Sequence, residues 1–208
     1  MRQMTFVVDL DRCIGCKGCQ AACKLENGVA LGVGRNKVCT IGPSGVYPNL
    51  QMYFLPVMCQ QCEHPACVQA CPAGACYKDG ADGVVRVDRS RCVGCGRCGR
   101  ACPYGMIYID KELRTADKCD LCASLRAAGD TPACVRNCSA SALCYGDLSD
   151  PDSGVSRLLA EAEPQHVYTL RDGGGGPTVR YILRRGEWVD VLPQDCVEHS
   201  AHWKGGPK

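Results

Sequence analysis

The chain has 208 residues, twenty of them Cys, and a formal charge of +2 from 24 basic and 22 acidic side chains. No Lys or Arg run offers a nucleic-acid face, and no stretch approaches the roughly 18–20 apolar residues needed to span a bilayer. Only two Phe and two Trp are present, which excludes a large aromatic core, so bonds made by cysteine must hold much of the fold together.

In chain order, Met1-Arg2-Gln3-Met4 opens neither an apolar signal-peptide core nor a twin-Arg motif. A strand is expected over Thr5–Leu10. A first cysteine group follows, Cys13-x2-Cys16-x2-Cys19-x3-Cys23, with a short helix over Gln20–Leu25 carrying its last member. A strand over Met52–Val57 leads into the second group, Cys59-x2-Cys62-x4-Cys67-x3-Cys71-Pro72, with a helix over Val68–Ala70. Val84–Asp88 reads as the strand before the third group, Cys92-x2-Cys95-x2-Cys98-x3-Cys102-Pro103. Helix Gly99–Ala101 and strand Met106–Asp110 follow. The fourth group is Cys119-x2-Cys122-x11-Cys134-x3-Cys138, with a helix over Val135–Asn137. Pro72 and Pro103 end their helices, because proline cannot continue one.

Beyond residue 146 the grouped cysteines stop. Val155–Glu163 reads as an amphipathic helix, and Val167–Leu170 and Val179–Leu183 as strands around a flexible Gly173–Gly176 run. Trp188 to Lys208 is either a loose tail or a partner-docking arm, since Trp favours interfaces.

Sixteen cysteines therefore fall into four quartets. The first and third match the run C-x2-C-x2-C-x3-C that binds [4Fe–4S] clusters in bacterial ferredoxins. A tight loop can point three thiolates at one cubane, while the fourth Cys, about a helical turn on, faces away. Disulfides do not require four repeats of one spacing. Zinc could suit the fourth group alone but not four Cys within eleven residues. Four [4Fe–4S] clusters are the expected cofactors, and at 2− each they would take the formal charge from +2 to about −6. Cys39, Cys76, Cys144 and Cys196 are left over. Cys76 and Cys144 sit in apolar, strand-like contexts and read as small buried hydrophobes.

The expected fold class is α+β: tandem two-cluster ferredoxin-like modules, loop-rich, with a small C-terminal extension. Groups two and three would form an inserted module over 51–111. Groups one and four would pair around it, over 1–50 and 112–150, and 151–208 would be the extension. By analogy with two-cluster ferredoxins, each module would exchange its fourth ligands. The sets would then be Cys13, Cys16, Cys19 with Cys138; Cys119, Cys122, Cys134 with Cys23; Cys59, Cys62, Cys67 with Cys102; and Cys92, Cys95, Cys98 with Cys71. Gly15, Lys17 and Gly18 in the first loop, and Gly94, Gly96, Arg97 and Gly99 in the third, suggest that these two loops hold the higher-potential clusters.

The order of the groups and the x11 loop, with Asp11-Arg12-Cys13-Ile14-Gly15-Cys16, Pro65-Ala66-Cys67, Cys71-Pro72-Ala73-Gly74-Ala75 and Gly146-Asp147-Leu148-Ser149-Asp150-Pro151, resemble one family over about residues 4–150. It is the iron–sulfur electron-transfer subunit of the dimethyl-sulfoxide-reductase-type molybdopterin oxidoreductases. The resemblance implies a non-catalytic subunit relaying single electrons to or from a large molybdenum or tungsten bis-pterin subunit. A separate membrane-anchor quinone subunit would complete such a complex. Ser139 after Cys138 and Lys24 after Cys23 depart from the family pattern without removing a ligand. A free-standing polyferredoxin serving several enzymes is the alternative. Compartment stays open between the cytoplasm and carriage outward by a twin-Arg partner.

Overall fold

The computed structural model describes residues 2–190. Its centre is a four-stranded sheet in the order β8-β1-β10-β9, built from β1 (Met4–Asp9), β8 (Leu143–Asp147), β9 (Val167–Tyr168) and β10 (Arg180–Ile182). β1 is buried along its whole length, with Met4, Phe6 and Val8 on one face and Thr5, Val7 and Asp9 on the other. It pairs antiparallel with β8, Met4 opposite Asp147 and Val8 opposite Leu143. On its other edge it runs parallel to β10, with Val7 beside Arg180.

Three hairpins separate the cysteine groups. The longest joins β2 (Asn36–Val46) to β3 (Asn49–Met58). Its base lies in the core through Val38, Cys39, Leu55 and Met58, and its tip exposes Val46, Tyr47 and Leu50. β4 (Cys76–Lys78) pairs with β5 (Val85–Val87), and β6 (Ile107–Asp110) with β7 (Thr115–Lys118). Six short helices complete the fold: α1 (Gly18–Asn27), α2 (Ala66–Gln69), α3 (Arg97–Ala101), α4 (Ala123–Ala127), α5 (Ala133–Arg136) and α6 (Gly154–Ala160). α1 packs against α5, and α2 against α3.

The expected strands and helices fall inside or beside observed ones, and the mixed, ferredoxin-like class holds. Two readings change. The Gly173–Gly176 run is fixed in place, not a flexible bridge: Glu63 N–H donates to Gly176 O at 2.8 Å and His64 N–H to Gly175 O at 2.9 Å. A Cβ on Gly175 would lie 3.4 Å from Cys62 Sγ, so small residues let the segment approach the second cysteine group. Trp188 is half-buried and stacks on Tyr168, ring centroids 4.9 Å apart. Residues 191–208 of the expected tail or arm, with Cys196, lie outside the described residues.

Candidate functional site

Each of the four Cys-x-x-Cys loops turns the same way. The residue before its second Cys has positive φ: Gly15 at 66°, Gln61 at 46°, Gly94 at 67° and Leu121 at 58°. This bend reverses the chain within a few residues and lets consecutive sulfurs face one space. Glycine takes it freely at two positions. At the other two, buried contacts hold a strained residue. Gln61 is fully buried, its amide donating to Cys119 O at 3.3 Å and accepting from Val85 N–H at 2.9 Å. Leu121 is fully buried in the core.

The folded chain gathers cysteines across groups. Cys13, Cys16, Cys19 and Cys138 line one cavity, walled by Ile14, Val38 and Leu143. Cys23, Cys119, Cys122 and Cys134 line another. Cys59, Cys62 and Cys67 stand close to one another and to Cys102. Cys71, Cys92 and Cys98 share a packed cluster, with exposed Cys95 on the same loop as Cys92 and Cys98. The quartets also follow one another in space. Cys134 lies near Cys19 of the first cavity, and Cys119 near Cys59. Cys67 and Cys102 share a packed cluster with Cys71, Cys92 and Cys98. Cys16 and Cys95, at the two ends of this row, are exposed, whereas Cys119 and Cys134 in its middle are buried.

The donor set fits iron–sulfur clusters. None of the nineteen cysteines among the described residues forms a disulfide. Nor, among those residues, are three His, Cys, Asp or Glu side chains set around a single metal ion; two of the quartets enclose cavities instead. Burial pushes Cys19, Cys62 and Cys67 up to about 12 and Cys23 up to about 11, with neighbouring cysteines adding to the rise in each case. Such thiols become thiolates when a cation supplies the charge that burial denies them. Backbone amides already aim at the sulfurs: Ala142 N–H donates to Cys138 Sγ and Ala116 N–H to Cys92 Sγ, both at 3.2 Å. Cys76 N–H reaches Cys71 Sγ at 3.4 Å.

Three polar residues that sequence reasoning missed serve these sulfurs. Asn27 Nδ2 lies 3.7 Å from the Sγ atoms of both Cys23 and Cys122. Its place four residues after Cys23, on the same helix face, was the available clue. Arg35 Nη1 donates to Asn27 Oδ1 at 2.8 Å and so orients that amide. Arg35 is itself held by Asp117 through two bonds of 2.9 and 2.7 Å. Lys118 is buried beside Cys119, and nothing in its local sequence marks it. Of the leftover cysteines, Cys39 is fully buried in β2 and Cys144 is half-buried in β8. Cys76 is buried, as its apolar context suggested, and packs in one cluster with Cys98.

Residues 50–148 match a family model described as a 4Fe-4S dicluster domain. Protein NrfC of Escherichia coli K12 is 41% identical over 183 residues, 88% of this chain and 82% of the relative. A sulfite dehydrogenase subunit of Allochromatium vinosum is 34% identical over 98% of this chain and 92% of its own. The thiosulfate reductase electron transfer subunit PhsB of Salmonella typhi is 40% identical over 82% of this chain and 88% of its own. The chain belongs to the iron–sulfur electron-transfer subunits of the dimethyl-sulfoxide-reductase-type molybdopterin oxidoreductases. As a subunit of this family it relays electrons to or from a catalytic subunit and performs no substrate chemistry itself. Its cofactors are [4Fe–4S] clusters. Among the described residues, no helix of this iron–sulfur subunit is long and apolar enough to cross a membrane.

Proposed function

We propose that sixteen cysteines ligate the four clusters with fourth ligands exchanged between groups: Cys13, Cys16, Cys19 and Cys138; Cys23, Cys119, Cys122 and Cys134; Cys59, Cys62, Cys67 and Cys102; Cys71, Cys92, Cys95 and Cys98. The observation that carries this reading is the pair of cavities each lined by three cysteines of one group and the last of another. The packing of α1 on α5 and of α2 on α3 supports two tandem modules, one from groups one and four and one from groups two and three.

When bound, the clusters supply one-electron carriers, which divide a two-electron reaction at a partner into single steps. The chain's own part is to fix the sulfurs, aim amide donors at them and exclude water from the middle of the row. Cys16 and Cys95, the two exposed cysteines among the described residues, mark the ends where electrons enter and leave. The partner is a large molybdenum or tungsten bis-pterin subunit, and a separate quinone-binding membrane anchor stands at the other end.

Anaerobic purification should give a brown protein with about sixteen irons, as four cubanes require. In EPR spectra, Cys138→Ser should alter the same cluster signal as Cys16→Ser, and Cys23→Ser the same signal as Cys122→Ser. If Cys23→Ser and Cys16→Ser share a signal instead, ligands are not exchanged. Affinity capture of the tagged subunit from its native cell should bring down a large pterin-containing chain. Recovery only as a brown monomer would favour a free-standing carrier.

A further inference from the structure

Lys118, at the end of β7, is 4% exposed, and its ammonium group has no carboxylate within ion-pair distance among the described residues. Its hydrogen bonds go to two backbone carbonyls, Val85 O and Cys119 O, the latter at 2.7 Å. Asp120 acts on it only from beyond ion-pair distance. A buried cation paired with carbonyls alone is costly, because carbonyl dipoles replace water but carry no net negative charge. Counter-charge must come from elsewhere, and the neighbours that can supply it are cysteines. Cys59, Cys67 and Cys119 all lie near it. Those residues belong to two different quartets, one from each module.

We propose that Lys118 is a positioning residue for electron transfer: a fixed positive charge shared by the two interior clusters, which raises both of their midpoint potentials. This rests on the reading that the quartets hold clusters. A cluster gains one negative charge on reduction, so a nearby buried cation stabilises its reduced form. Lys17 and Arg97, the loop charges that the sequence singled out, are both exposed, and water and salt screen them. Burial leaves Lys118 unscreened. The strongest cationic influence therefore falls on the middle of the row, not on its ends.

The test is an EPR-monitored redox titration of the purified subunit, comparing the native chain with Lys118→Met and Lys118→Arg. The expected result is that two of the four midpoints move to lower potential in Lys118→Met, while Lys118→Arg leaves them near their native values. With all four clusters present, unmoved midpoints in Lys118→Met overturn the proposal, as does an equal shift in all four. If Lys118→Met instead assembles with half of the native iron and Lys118→Arg with all of it, charge is what the interior clusters require, and the proposal stands. Loss of iron from both variants assigns Lys118 a steric role and overturns it. A native subunit without about sixteen irons would refute the cluster reading itself, separately from any role of Lys118.

Discussion

Two arginines donate to the same carboxylate oxygen at nearly the same distance, yet their loss should have very different consequences. Arg35 reaches Asp117 Oδ1 at 2.7 Å and Arg89 reaches it at 2.8 Å. The Arg35 side chain is 7% exposed and the Arg89 side chain 49%. Arg35 also makes a second bond to Asp117 and contacts Asp120 at 3.3 Å. Removing one partner of a buried pair costs about 3–5 kcal/mol, because the other charge stays desolvated. Breaking a half-exposed pair costs about 0–1 kcal/mol. Arg35→Met should therefore lower the urea midpoint by about 2 M at an m-value of about 2 kcal/mol/M, and Arg89→Ala by less than about 0.5 M. Clusters leave irreversibly on unfolding, so the midpoint is read after a fixed anaerobic incubation, from fluorescence and from loss of the brown colour. Asp117→Asn in the Arg35→Met background should recover part of the loss by removing a buried carboxylate left with half-exposed Arg89 as its cation. Equal midpoints for Arg35→Met and Arg89→Ala would refute the argument that burial, not distance, sets the value of these bonds.

Asn27→Leu removes two weak N–H···S contacts, together about 1 kcal/mol. For a one-electron couple that is about 40 mV, so one EPR-detected midpoint should fall by that amount while three stay fixed. Gly94→Ala should abolish one cluster, because a Cβ there would lie 2.4 Å from Arg114 O. Gly105→Ala has a similar φ of +64° but meets nothing within 4 Å, so it should keep all its iron and lose only about 1 kcal/mol. Burial raises the Asp147 carboxyl, but hydrogen bonds from Ser149, Gln3 N–H and Arg2 outweigh this and hold it at about 2. Its stabilising effect is present above the usual carboxylate value and is lost as pH falls toward about 2. Asp147→Asn should thus cost about 1–2 kcal/mol at neutral pH, and the gap to the native chain should narrow in urea series below about pH 4.

The spacing of the cysteines carried most of what could be read in advance. Ligand geometry is imposed by the metal, not by the rest of the chain, so it survives in sequence as fixed intervals. The short helices beside the fourth cysteines were visible for the same reason, although only Cys23 lies within its helix, whereas Cys71, Cys102 and Cys138 follow the ends of theirs. β2 was not, because Gly42, Pro43, Ser44 and Gly45 read as a loop although they fall within the hairpin. The left-handed turns at Gln61 and Leu121 were hidden, since the usual mark of positive φ is glycine. β10 was seen as a strand, but its place beside β1 is a pairing between distant segments that no local pattern encodes. Lys118 looked like any surface lysine, because a charge declares its burial only once the elements around it have packed.

The crossing of cysteines between groups also bears on how such a chain is made. On the pairing proposed above, Cys13 leaves the ribosome 125 residues ahead of its last companion, Cys138. At about 5–20 residues per second that interval is on the order of ten seconds. Throughout it three thiols stand together without the fourth, open to oxygen and to adventitious metals. By contrast Cys59 and Cys102 emerge within a much shorter span. The inner module can therefore be filled soon after its first ligand appears, whereas the outer one must wait until the whole inner module has been made.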